Sequence, residues 1–140
     1  MSEHDVMKAK LLEANARFYR AFIDGDCAAM ERLWADDDVS CIHPGWPVLV
    51  GRPAVMDSWR DILKSPDRPP LQCRGMSALL HWNEGRVLCL EIVGDLALAA
   101  TNQFRYVDGD WRMLHHQASL IGDAGTYVTA DGDAAPRRLH

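Results

Sequence analysis

The stretch Cys41-Ile42-His43-Pro44-Gly45-Trp46 ends a short apolar segment with an imidazole, a rigid turn and an indole. An imidazole titrates near neutral pH, so it takes and returns a proton without large tuning. Pro44 fixes the backbone that follows and restricts where His43 points. Trp46 and Trp59 supply flat apolar walls for a hydrophobic ligand. A second group lies in "TNQFRYVDGDWRMLHHQAS", residues 101–119. There Gln103 offers amide hydrogens to a developing oxyanion, and His116 offers a second donor or a partner for a carboxylate. Together His43, Gln103 and His116 are the candidate catalytic set. Each also has a plain reading: a hydrogen-bonded turn histidine, packed indoles, a strand-side amide. Metal ligation by His43 and His116 needs a third ligand that the sequence does not name, so no metal is expected. Proton chemistry of this kind needs no cofactor. Glu91, in the middle of "LCLEIV", is an unusual strand residue; facing inward it would pair with Arg105 or Arg112.

Positioning these groups falls to elements the pattern makes legible. Apolar residues at three- and four-residue steps from Val6 to Ile23 predict a helix over 3–24. Gly25 is the expected left-handed residue at its end, and Asp26 caps a second short helix, "CAAMERLW". Residues 39–42 and 48–50 read as short extended pieces on either side of the His43 turn. "GRPAVMDSWRDILKS" reads as a third helix, with Pro53 in its first turn. After residue 70 the period changes from 3.6 to two. Four long strands follow, joined by turns at "NEG", "GD" and "DG". The tail 122–140 reads as a loose extension or an arm over a neighbouring chain.

Helices first and antiparallel strands after predict an α+β domain. One domain over 1–121 fits the 140-residue length and the 48% hydrophobic content. The net charge of -5, with scattered Lys and Arg, excludes a basic nucleic-acid footprint. No apolar run reaches the roughly 20 residues of a membrane span, and the polar start lacks a signal-peptide core. The four cysteines form no CxxC and read as reduced, mostly buried thiols. The expectation is a soluble, cytoplasmic protein with neither nucleic acid nor membrane as partner.

A two-residue turn at Asp108-Gly109 would set Val107 opposite Asp110, Tyr106 opposite Trp111, Arg105 opposite Arg112 and Phe104 opposite Met113. Continued without interruption, the same register sets Gln103 opposite Leu114, Asn102 opposite His115 and Thr101 opposite His116. One face then carries Phe104, Tyr106, Trp111 and Met113. The other carries Thr101, Gln103, Leu114, His116 and two arginines. Either face could be the one turned to the core.

"RFYRAFIDGDCAAMERLWADDDVSCIHPGW", "GRPAVMDSW" and the strand pair above resemble the nuclear transport factor 2-like superfamily, and within it the SnoaL-like group. The resemblance spans roughly residues 8–120. It implies a cone of three helices over a curved, mostly antiparallel mixed sheet enclosing a pocket, and a homodimer packed sheet to sheet. On that picture Phe104, Tyr106, Trp111 and Met113 form the dimer surface. Thr101, Leu114 and Arg112 turn inward beside Gln103 and His116, and Phe18, Trp46 and Trp59 complete a lining for a small apolar ligand. Ketosteroid isomerases share the fold. Their basic Asp-Pro position reads His43-Pro44 here, their oxyanion-binding Tyr position reads Phe18, and their protonated Asp falls on Thr101 or Gln103. The resemblance therefore implies an isomerase, cyclase or hydro-lyase acting on an apolar carbonyl compound with His43 as base. The alternatives are a ligand-binding or association module, with Arg105 and Arg112 clamping a carboxylate, and a domain that only dimerises.

Overall fold

A computed structural model of the chain describes residues 1–128. Helix α1 (Glu3–Asp24) opens on a capping box in which Ser2 Oγ accepts from the Asp5 amide and Asp5 reaches back to the Ser2 amide. It stops at Gly25, whose φ of 66° lies in the left-handed region. Asp26 caps α2 (Cys27–Leu33) by accepting from the Ala29 amide. Strands β1 (Ser40–Ile42) and β2 (Leu49–Val50) pair antiparallel across the His43-Trp46 turn. Helix α3 (Arg52–Leu63) follows, with Pro53 in its first turn.

The long strands are β3 (Leu71–His81), β4 (Glu84–Val93), β5 (Leu96–Val107) and β6 (Asp110–Asp123), and a one-turn helix α4 (Ala124–Tyr127) closes the described chain. The sheet is six-stranded in the order β2-β1-β6-β5-β4-β3, with β1 parallel to β6 and the other pairs antiparallel. The sheet is open rather than a closed barrel. Residues 122–127, expected in a loose tail, instead finish β6 and form α4, and Tyr127 Oη donates to the Ile121 carbonyl. The rest of that tail, 129–140, lies outside the described residues.

The aromatic side of the last hairpin is the one turned to the core. Phe104, Trp111 and Met113 have no exposed surface and pack in the same core as Leu11, Phe18, Met30 and Val55 from the helices. Tyr106, half-buried, meets Trp111 edge to face at 5.2 Å. Their apolar rings and thioether gain most by leaving water, so the helices cover them. They are core, and do not present a dimer surface.

The register follows the expected pairs from Val107↔Asp110 to Phe104↔Met113 and then slips: Gln103 lies opposite His115 and Asn102 opposite His116. Leu114 is the extra residue of a β-bulge, which a period-two reading cannot anticipate. Alternation with Phe104 turns Asn102 to the helices, the bulge brings His116 to the same face opposite it, and Thr101, Gln103, Arg112 and Leu114 are left on the other face.

Candidate functional site

Beneath the helices the inner sheet face is not uniformly apolar. Asn15, His43, Ser58, Glu91, Asn102 and His116 are all buried there. Buried polar groups persist only where they are paired, and these form two connected sets.

The first set surrounds His43. Its ring meets Trp59 at 4.7 Å and Trp46 at 4.9 Å between centroids, both edge to face. Phe18 meets Trp59 at 5.5 Å and His116 at 4.9 Å. The two imidazoles stand 6.3 Å apart. Ser58 Oγ donates to the Val55 carbonyl at 2.7 Å, so its 2.9 Å bond to His43 is one in which Nε2–H donates. That assigns the proton to Nε2 and the lone pair to Nδ1. Cys41 Sγ flanks the ring at 3.6 Å from Nε2 and 3.8 Å from Nδ1. Burial holds the His43 pKa down to about 4, so the ring is neutral at physiological pH. Burial likewise pushes the Cys41 thiol up to about 12, keeping it protonated.

The second set runs from α1 to the sheet. The Asn102 amide donates to Asn15 Oδ1 at 2.9 Å and to Tyr19 Oη at 3.0 Å. Its Oδ1 is left to accept from His116 Nδ1–H at 2.6 Å. Tyr19 Oη donates to Glu91 Oε2 at 2.6 Å. The unprotonated Nε2 of His116 lies 4.0 Å from the same carboxyl oxygen. Burial, then the His43 and His115 rings, push the His116 pKa down to about 3. Burial raises Glu91 to about 7, with the Tyr19 hydrogen bond pulling the other way. The network thus holds a carboxyl group poised near neutrality next to an unprotonated imidazole, the kind of perturbed pair that clusters at functional sites. A mostly apolar groove of about 320 Å³ between α1 and β3 reaches this network at Asn15 and Tyr19.

Of the residues expected from sequence, His43, His116, Phe18, Trp46 and Trp59 come together. Trp59 and Phe18 are buried, and Trp46 is the half-exposed outer member. Gln103 does not join them: it is exposed on the outer face, opposite His115. Thr101, Leu114 and Arg112 share that outer side, and Arg112 donates to the Arg32 carbonyl. Glu91 does face inward, but its partner is Tyr19; Arg105 pairs with Glu84 instead. Next to the positions that the isomerase resemblance carries onto Phe18 and onto Thr101 or Gln103, the buried polar groups are Tyr19 and Asn102. Asn15, Ser58, Tyr19 and Asn102 were missed. For Asn15 and Tyr19 the signal was their i,i+4 spacing on the apolar face of α1. For Asn102 it was alternation with the core residue Phe104. Among the described residues no group of three His, Cys, Asp or Glu side chains is arranged to hold a metal ion, and no helix is long and apolar enough to cross a membrane.

Residues 11–123 match the SnoaL-like domain family. A candidate dehydratase of the NTF2-like family from Streptomyces avermitilis is 28% identical, superposes with a TM-score of 0.77, and is matched over 84% of this chain and 97% of its own. A candidate calcium/calmodulin-dependent protein kinase type II association domain from Thiobacillus denitrificans is 34% identical with a TM-score of 0.67, over 77% of this chain and 92% of its own. The F-box protein SKIP8 of Arabidopsis thaliana is 27% identical over 122 residues, 79% of this chain. The chain spans about half or less of the length of the curated relatives it matches, 49% and 40%. With the family match covering most of the helices and the whole sheet, the chain belongs to the SnoaL-like domain family and carries the NTF2-like fold.

Proposed function

We propose that this domain binds a small apolar carbonyl compound inside the cone and moves a proton on it, as an isomerase, cyclase or hydro-lyase without a cofactor. His43 is the base. The observation that carries the reading is the state of that imidazole: buried, neutral, fixed by Ser58 through Nε2, and left with a lone pair on Nδ1 within an aromatic enclosure. His43 would take a proton from the carbon next to the carbonyl. The His43 imidazolium then returns the proton at carbon, so the ring ends the cycle neutral, as it began. The likeness to the Streptomyces candidate dehydratase supports the hydro-lyase branch.

The test is deuterium exchange at the α-carbon of simple aryl and alkyl ketones in D2O, followed by NMR. His43→Ala should lower the catalysed rate by about 10²-fold or more with the circular dichroism spectrum unchanged. An equal rate in the variant would end this reading.

A second reading, a ligand-binding or association module without chemistry, draws on the 34% identity to the Thiobacillus candidate association domain. It predicts ligand retention without exchange. Both readings are compatible with a homodimer. Since Phe104, Trp111 and Met113 are core, a sheet-to-sheet dimer would use the opposite face, where Leu79 and Leu88 are exposed. Light scattering on Leu88→Glu against the parent chain tests that assembly.

A further inference from the structure

Three of the five tryptophans are buried, and two of these have satisfied indole N–H groups. Trp34 Nε1 donates to Met30 Sδ at 3.4 Å, and Trp111 Nε1 donates to the Met7 carbonyl at 3.2 Å. Trp59 Nε1 has no partner, although the residue is only 2% exposed. Its ring is enclosed by Phe18, Phe22, His43 and His116, at centroid distances of 5.5, 5.8, 4.7 and 5.7 Å. A buried donor without an acceptor is costly. It is also placed in the same ring cluster as the proposed base.

We infer that the Trp59 indole N–H is the hydrogen-bond donor for the ligand's carbonyl oxygen, and that the site selects a neutral ketone or aldehyde over a carboxylate. This rests on the reading of His43 as base. In the proton transfer, His43 Nδ1 takes the α-hydrogen, the C–H electron pair becomes the enolate π bond, and the negative charge gathers on the oxygen held by Trp59. Reprotonation at carbon restores the carbonyl and neutral His43. A neutral N–H serves an uncharged oxygen and strengthens as charge develops on it. The ionisable groups around the Trp59 ring offer no cation to an anion: His43 and His116 are held neutral by burial, and the carboxyl next to His116 is Glu91.

Titrating 15N-indole-labelled protein with acetophenone, and separately with benzoate of matched size, tests the assignment. The Trp59 Nε1–H resonance, identified by its loss in Trp59→Phe, should move downfield with acetophenone and stay in place with benzoate. Trp59→Phe should weaken acetophenone binding by roughly tenfold, as expected for one lost hydrogen bond of about 1.4 kcal/mol. A Trp59 resonance unmoved by acetophenone, or moved as far by benzoate, overturns the inference. Methyl deuteration of acetophenone in D2O separates the two claims. A shifted Trp59 resonance without accelerated deuteration leaves the donor assignment standing and removes His43 as base. Accelerated deuteration that Trp59→Phe does not slow overturns the donor assignment and leaves His43 in place.

Discussion

Single atoms decide what the interior of this domain can do. Asn102 connects α1 to the sheet because its two amide hydrogens and one carbonyl are each matched, by Asn15, Tyr19 and His116. That matching also fixes which nitrogen of His116 carries the proton, and so leaves its Nε2 facing Glu91. The Tyr19 hydroxyl, at 2.6 Å from Glu91, favours the carboxylate form and opposes the effect of burial. Removing it leaves desolvation alone. Tyr19→Phe should therefore raise the Glu91 pKa above its value of about 7, read from the side-chain carboxyl carbon by NMR titration. A downward shift would mean that another group, not Tyr19, holds the carboxyl.

Elements determine which atoms meet. The caps at Ser2, Gly25 and Asp26, the Pro53 start of α3 and the turn at Asp108-Gly109 were all legible, because each depends on one or two residues with a fixed conformational preference. His43 and Trp46 were legible for the same reason, a turn announcing itself, and Trp59 through the apolar face of α3. The polar network was not, because it depends on which residues of α1, β4, β5 and β6 meet across the core, and the bulge moves His116 from opposite Thr101 to opposite Asn102. Leu114 carries no turn residue and no charge, so nothing in its chemistry marks it as the extra one. The consequence is testable. Deleting Leu114 removes this bulge from the β5–β6 ladder while keeping His115 outward and His116 inward, so the domain should fold with a loss of no more than about 1–2 kcal/mol in urea unfolding. Deleting Gln117 instead turns every following residue of β6 over, placing Ser119 where Ala118 is buried. That change should cost several times more. Equal losses from the two deletions would show that the bulge does not set the faces of β6.

At the scale of the whole molecule, burying three titratable groups makes stability depend on pH in a way their positions predict. His43 and His116 fall from 6.5 to about 4 and about 3 in the fold. Below pH 6.5 the unfolded chain therefore gains two protons that the fold excludes, and stability drops as pH falls. Glu91 rises from 4.5 to about 7. Between those values the fold keeps a proton that the unfolded chain has lost, which works in the opposite sense. The net difference is about one proton in favour of the unfolded chain, or about 1.4 kcal/mol per pH unit where all three shifts are fully expressed. Near pH 7 and above the three contributions cancel or vanish. These groups should thus cost about 2 kcal/mol between pH 6.5 and 4.5, seen as a falling urea midpoint. Replacing His43 with Phe removes one of the two excluded protons, and the remaining histidine and Glu91 then oppose each other over that range. The variant should be less stable overall at pH 7 if packing suffers, but its pH profile from 6.5 to 4.5 should be nearly flat. A parent chain with a flat profile, or a variant as steep as the parent, would mean that His43 is not the neutral, desolvated ring on which proton abstraction depends.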